Sequence, residues 1–114
     1  GVSTINFYID GSINDLDVRD NNVEFNDELL DFICKKSKEL SFRADEICGL
    51  NPYADTEIPR TDLPQIVNTC HYLLNSAIFE NHPNSEEWSG MVCDLIEIAK
   101  KAMIEGSGLI CIGD

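Results

Sequence analysis

Strand-like segments at both ends of the chain place the tightest limit on how it folds. Near the start, "TINFYID" alternates Ile5, Phe7 and Ile9 with Asn6 and Tyr8, which is typical of a strand with one buried face. Near the end, "LICI" is apolar throughout and predicts a short strand in the centre of a sheet. We therefore expect the two ends of the chain to contribute to one small sheet.

Three helices are predicted between these strands. Asn26 is the expected N-cap of the first, the second runs from about 62 to 77, and Asn84 with Glu87 predicts a capping box for the third. Their apolar residues follow helical spacing. The positions expected to be buried are Leu29, Leu30, Ile33 and Leu40, then Leu63, Ile66, Val67, Cys70, Leu73, Leu74 and Ala77, then Trp88, Met91, Val92, Leu95, Ile96, Ala99, Ala102 and Met103.

Turn signals complete the predicted order of elements. Asp10-Gly11 favours a hairpin because both residue types tolerate positive φ, so residues 12–18 are expected to return as a strand. "VEF" after it predicts a short extended piece. The chain is thus predicted to be a single α+β domain over residues 1–114. Its small, mostly antiparallel sheet, built from both chain ends, packs in two layers against about three helices.

A connector, "LNPYADTEIP", spans residues 50–59 at the midpoint of the chain. Pro52 forces Asn51 into an extended conformation, and Asp55 with Thr56 is suited to close a turn through nearby backbone amides. Tyr53 is suited to cover one end of the core with its hydroxyl in water. The segment is interpreted as a stiff hinge, with direct recognition of a partner as the alternative.

Charge is the strongest functional signal in the sequence. Twenty-one acidic residues oppose eight basic ones, which gives a net charge of −13 and a pI near 4.3. Direct binding of nucleic acid or of an anionic membrane is disfavoured, because both require basic groups. A net charge of about 2–8 suffices to keep a small domain in solution. The surplus favours a basic partner, and solubility alone stays open as the other explanation.

The acids are concentrated near the start of the chain. Residues 10–31 hold eight acids against Arg19 alone, a net charge of −7. Those in the expected turns of the hairpin are the first candidates for contact with a partner, and the connector supplies a second set. The candidate partner-binding residues are Asp10, Asp15, Asp17 and Asp20, with Tyr53, Asp55 and Glu57.

No pattern in the sequence predicts a catalytic or metal site. A calcium loop starting at Asp10 fails, because Asp15 stands where glycine is needed and Asn21 where glutamate is needed. Cys70, His71, His82 and Cys93 lack the spacing of zinc ligands, and buried thiols are inert. Glycine-rich phosphate loops and hydrolase motifs are absent from the sequence. The expectation is a protein with no enzyme activity, no cofactor and no metal.

Five cysteines lie at positions 34, 48, 70, 93 and 111, most of them in apolar surroundings. Their odd number and wide separation argue against a disulfide framework, so five reduced thiols are expected. The first ten residues also lack the basic and apolar regions of a secretory signal. Both features predict a cytoplasmic protein.

Three short blocks, in order, resemble a family of small bacterial proteins. The blocks are "INFYIDG", the midpoint "LNPYADTEI" followed by "DLPQIV", and the terminal "LICIGD". Together they resemble the immunity proteins encoded beside polymorphic toxins, including those of contact-dependent growth inhibition systems. The resemblance covers the chain in outline and carries over no catalytic residue.

The resemblance implies a cytoplasmic inhibitor that binds one cognate toxin domain. The acidic charge independently fits a basic nuclease, whose cationic phosphate-binding surface an acidic protein would cover. The hypothesis is an immunity protein that neutralises such a toxin by one-to-one binding. Two alternatives remain open: a small acidic interaction adaptor, and an inhibitor whose carboxylates mimic nucleic acid.

Overall fold

The two ends of the chain pair in one antiparallel sheet, as the sequence predicts. A computed structural model describes residues 3–10 and 23–113. In chain order the elements of these residues are β1 (Thr4–Ile9), β2 (Val23–Asn26), α1 (Asp27–Leu40), α2 (Asp45–Cys48), β3 (Thr56–Ile58), a 3₁₀ turn (Arg60–Asp62), α3 (Leu63–Asn75), α4 (Ser85–Ile104) and β4 (Leu109–Ile112).

The sheet has the strand order β2-β1-β4-β3, with every neighbouring pair antiparallel. The apolar β4 therefore lies inside the sheet, which confirms the prediction for "LICI". Phe7 is opposite Cys111 on β4, and Ile5 is opposite Phe25 on β2. These side chains point to the face that the helices cover, and all four are fully buried.

Helix α4 is the centre of the core. It packs against β1 and β2 on one side and against α3 on the other. Its apolar stripe follows the predicted spacing, and both α3 and α1 add their own stripes to the same core. The buried residues of α4 are Trp88, Val92, Leu95, Ile96, Ala99 and Ala102.

Of the two predicted helix caps, Asn26 is confirmed and Asn84 is not. The Leu29 amide donates to Asn26 Oδ1 at 2.8 Å, as expected for the N-cap of α1. Asn84 makes no side-chain cap to α4, and instead its own backbone N–H donates to His82 Nδ1 at 3.0 Å. Asp62 does not cap α3 with its side chain, because the 3₁₀ turn leads into that helix.

Two apolar residues expected in the core lie on the surface. Leu40 is 53% exposed because it lies in the last turn of α1, after which Ser41 turns the chain away in the left-handed conformation. Ala77 is exposed because α3 ends at Asn75, and Ala77 has a φ of 60°. In both cases the apolar pattern in the sequence continues past the last helical residue that faces the core.

The connector is more structured than the sequence suggested. Residues 56–58 add β3 to the edge of the sheet, where Thr56 is opposite Cys111 and Ile58 is opposite Leu109. The short helix α2, ending at Gly49, was also not predicted. Such short elements lack a periodic signal of their own, because their apolar residues are too few.

Some sequence predictions fall outside the described residues. The returning strand expected over residues 12–18 and the Gly11 position of the hairpin are among them. Within the described part of the chain, none of the helices is long and apolar enough to cross a membrane.

Candidate partner-binding surfaces

The described candidate residues lie at different places on the sheet. Asp10 follows β1 at one end, where its amide donates to the Gly108 carbonyl at 2.9 Å. Asp55 precedes β3 at the opposite end. Asp10 and Asp55 are four residues apart along the strand direction and two strand spacings apart across the sheet. The distance between them is therefore roughly 16 Å. Asp10 and the connector are therefore separate patches. Three further candidates, Asp15, Asp17 and Asp20, lie outside the described residues.

The connector is held in place by hydrogen bonds to the side chain and the backbone of Asn51. The Tyr53 amide donates to Asn51 Oδ1 at 2.9 Å, and the Ala54 amide donates to the Asn51 carbonyl at 3.2 Å. Gly113 lies so close that an added Cβ would be 2.6 Å from the Pro52 carbonyl oxygen. The Tyr53 side chain is 67% exposed on this support. The connector is thus a hydrogen-bonded turn with one exposed aromatic side chain, and recognition of a partner by it stays a prediction.

A third surface emerges from the pairing of the strands. Glu57 on β3 is opposite Ile110 on β4, which in turn is opposite Tyr8 on β1. Ile112 follows on the same face of β4. Asn6 joins Ile112 to Glu24 across β1. We call the residues of this face the outer sheet face: Tyr8, Asn6, Ile110, Ile112, Glu24 and Glu57.

The apolar members of the outer sheet face are half-buried, whereas Glu24 and Glu57 are exposed on the two edge strands. This face points away from the helices that cover Ile5, Phe7 and Ile9. Alternation in "TINFYID" already placed Tyr8 opposite to the buried residues, which was the available signal. The sequence did not reveal Ile110 and Ile112 as its neighbours, since their pairing joins the two ends of the chain.

Three of the described basic residues lie at helix ends. Lys38 lies in the last turn of α1, and Lys101 in the last turn of α4, where the helix dipole favours cations. The Arg60 guanidinium donates to the Met103 carbonyl near the end of α4, through Nε at 3.2 Å and Nη2 at 3.1 Å. These cations therefore stabilise helix ends.

Most of the acidic residues have no comparable structural role. The ion pairs between described residues join Lys36 to Glu39, and Arg43 to Asp45 and Glu46. Other acids stabilise helix N-termini, as Glu86 and Glu87 do for α4. The exposed helical acids Asp31, Asp94 and Glu97 have neither role, and among the described residues the same holds for the acids of the sheet and its ends. The latter are Asp10, Glu24, Asp55 and Glu57.

The Cys70 thiol is buried, whereas the two imidazoles lie in different settings. Burial, with a contribution from Cys93, raises the pKa of the Cys70 thiol to about 12, so it stays protonated near neutral pH. His71 is exposed beside it, while His82 stacks on Trp88 with ring centroids 4.2 Å apart. Among the described residues, no group of three His, Cys, Asp or Glu side chains is placed to hold a metal ion.

The expectation of five free thiols is wrong for two of them. Cys34 on α1 and Cys48 at the end of α2 form a disulfide, with their Cα atoms 5.6 Å apart. Cys70, Cys93 and Cys111 are free. The pair was missed because the residues are 14 positions apart, and only the turn between α1 and α2 brings them together. A disulfide is rare in a reducing cytosol, so this finding weighs against one argument for a cytoplasmic location.

Comparison with known proteins adds no assignment. The chain matches no protein-family model, and no curated protein sequence or solved structure is significantly similar to it.

Proposed function

We propose that this protein is an immunity protein that binds one cognate toxin domain in the bacterial cytoplasm and neutralises it. The toxin domain has a basic substrate-binding surface, as a nuclease does, and the bound protein covers that surface. The mode of action is binding without chemistry.

The observation that carries the proposal is the surplus of exposed acids that no basic residue pairs in the described part of the chain, on the sheet side as well as on the helices. Exposed ion pairs contribute only about 0–1 kcal/mol each, so pairing acids would add little to stability. Leaving them unpaired destabilises a protein of net charge −13 through self-repulsion. Asp10, Glu24, Asp55 and Glu57 support neither a helix end nor an ion pair between described residues. Attraction of a basic partner gives this charge a role.

Electrostatic attraction suits an inhibitor because it accelerates encounter. Complementary charge raises association rates toward about 10⁸–10⁹ M⁻¹s⁻¹ at low salt. An inhibitor that must reach its toxin before damage occurs benefits from this speed. Charge alone is promiscuous, so specificity requires shape and a few desolvated anchors.

The direct experiment uses the product of the gene immediately upstream. Its toxin domain and this protein are purified separately, mixed, and analysed by size-exclusion chromatography with light scattering. We expect a one-to-one complex and loss of toxin activity at equimolar protein. Absence of a complex, or full toxin activity at a tenfold excess, contradicts the proposal. Equal inhibition of an unrelated basic nuclease would instead favour a nucleic-acid mimic, and binding only within a larger assembly would favour an adaptor.

A charge-neutralised variant tests the electrostatic part of the proposal. Replacing Asp15, Asp17 and Asp20 together by Asn is expected to slow association severalfold at low salt and to flatten its salt dependence. The dissociation rate should change less. The matched control replaces Asp31, Asp94 and Glu97 by Asn, Asn and Gln, which removes the same charge from exposed helical positions. Equal slowing in both variants would mean that net charge matters and its position does not.

A further inference from the structure

The outer sheet face is an amphipathic surface without a helix to cover it among the described residues. Helices α1 and α4 contact the sheet on its inner face, where side chains such as Ile5 and Phe7 are fully buried. On the other face, Tyr8 and Ile110 are cross-strand partners, so their Cβ atoms are about 5 Å apart. Ile112 extends this apolar centre by about 7 Å along β4.

Carboxylates border this apolar centre. Glu57 lies beside Ile110 on the edge strand β3, and Glu24 lies on the opposite edge strand β2. Three strand spacings separate the two edges, about 14 Å. The four described strands contain no Lys or Arg. Asn6 lies between Glu24 and Ile112 on this face, beside the apolar centre. The charged residues of the four described strands are Glu24 and Glu57, and both are acidic.

We propose that the outer sheet face is the anchor of the interface, and that it receives a basic protein domain bearing an apolar protrusion between Lys or Arg side chains. This inference rests on the proposed function and assigns the site within it. Tyr8 is the central anchor, because aromatic residues in the middle of an interface carry much of the binding energy. Glu24 and Glu57 align the partner through its flanking cations.

Charge favours a basic protein domain over a second copy of the chain or an anionic membrane as the occupant of this face. A second copy of the chain, docked face to face, would bring carboxylates against carboxylates on molecules of net charge −13. An anionic membrane is repelled for the same reason. The area also points to a larger partner. About 14 Å by 15 Å of sheet is roughly a quarter of the ~800 Å² that each side of a specific interface buries, so neighbouring surfaces must contribute as well.

Both features of the face have ordinary explanations that an experiment must separate. Charged residues on edge strands prevent sheets from pairing edge to edge, and Tyr and Ile are common in strands. Glu57→Lys keeps a charge on the edge, so edge protection is retained while attraction of a cation is reversed. Tyr8→Thr keeps high strand propensity and removes only the anchor.

The first test measures binding kinetics to the purified upstream toxin domain. Tyr8→Thr should raise the dissociation rate about tenfold or more, and Glu57→Lys should lower the association rate severalfold. Two controls on the helical layer, Tyr72→Thr and Glu97→Lys, repeat the same chemical changes at exposed positions and should stay within about twofold. The proposal is overturned if Tyr8→Thr and Glu57→Lys behave as the controls do, or if Tyr53→Thr alone weakens binding.

A second test does not depend on the toxin. The ¹⁵N-labelled protein is titrated with the basic peptide acetyl-KKLYLKK-amide, and with acetyl-EELYLEE-amide as its control. The basic peptide should shift amide signals of β1 and β4, and Ile110→Thr should weaken this response, with thermal unfolding confirming that the variant is folded. Shifts confined to the helices, or no saturable shifts, contradict the inference. If the peptide maps to the sheet while the toxin domain does not bind, the proposed function fails and the binding face stands.

Discussion

The two faces of the sheet are built from neighbouring residues of the same strands, yet they have different physical roles. On β1, Phe7 is fully buried against Phe25, with the ring centroids 5.5 Å apart and nearly perpendicular. Tyr8, the next residue, is half-buried on the outer sheet face. The comparison shows that the inner face holds the fold together, while the outer face, which we propose for recognition, is only half-buried.

The largest expected difference is between Phe7→Ala and Tyr8→Ala. The first leaves a cavity in the core and should lower the free energy of unfolding by about 3–5 kcal/mol. The second removes a partly solvated ring and should lower it by about 1 kcal/mol. Urea unfolding of both variants measures the contrast. Equal losses would show that the outer face is packed as tightly as the inner one, and would weaken its assignment as a binding surface.

The disulfide lets stability be changed without touching either face of the sheet. Cys34 and Cys48 are 14 positions apart and both lie in the helical layer. A disulfide that closes a loop of this size contributes about 3 kcal/mol to the free energy of unfolding. Replacing both by Ser should lower the free energy of unfolding by about that amount and leave partner binding unchanged in the folded protein.

Counting thiols checks the disulfide directly. Protein purified without reductant and then denatured should show three free thiols, and five after reduction. A count of five in the first sample would restore the original expectation from the sequence. It would also predict that the double Ser variant unfolds at the parent urea concentration.

Two glycines sharpen the contrast between the sheet and the helical layer. A Cβ at Gly108 would collide with the Ile58 carbonyl oxygen, where β4 begins beside β3. Gly108→Ala should therefore destabilise by about 1–3 kcal/mol. Gly90→Ala is the matched control, because Gly90 is exposed within α4 and an added Cβ meets nothing within 4 Å.

Gly90→Ala should instead raise the free energy of unfolding, by up to about 1 kcal/mol, because alanine has the higher helix propensity. Thermal unfolding of the two variants provides the measurement. Destabilisation by Gly90→Ala would indicate that this side of α4 is covered in solution.

Burial on the inner face should also make the stability of the protein depend on pH. Burial, with a contribution from Asp55, raises the pKa of the Cys111 thiol from 9.0 to about 12. Between these values the unfolded chain releases the proton and the folded chain keeps it. The free energy of unfolding should therefore fall as pH rises from about 9 to 12, by at most about 1.4 kcal/mol per pH unit for this thiol.

Cys111→Ala should remove that contribution, so the comparison of the variant with the parent isolates it from other alkaline titrations. Alkylation of the folded protein offers a second measurement. Iodoacetamide at pH 8 should modify the exposed Cys93 much faster than the buried Cys111. Similar rates would mean that the inner face opens readily.

The sequence by itself determined the parts of the structure that depend on local order. Alternation defined β1 and its inward residues, helical spacing defined α3 and α4, and Asn26 identified the start of α1. The sequence reveals these elements because the buried residues of each one recur at a regular spacing within the element itself. The acidic surplus is likewise a property of composition, and the basic partner that it favours stays a prediction.

Only the tertiary structure decided which distant residues become neighbours. The three residues of β3 form a strand because β4 supplies hydrogen-bond partners, and not because of any period of their own. The disulfide depends on the turn between α1 and α2, and Tyr8 meets Ile110 because the two chain ends pair. Such contacts arise from burying several elements against one core, so no local pattern encodes them.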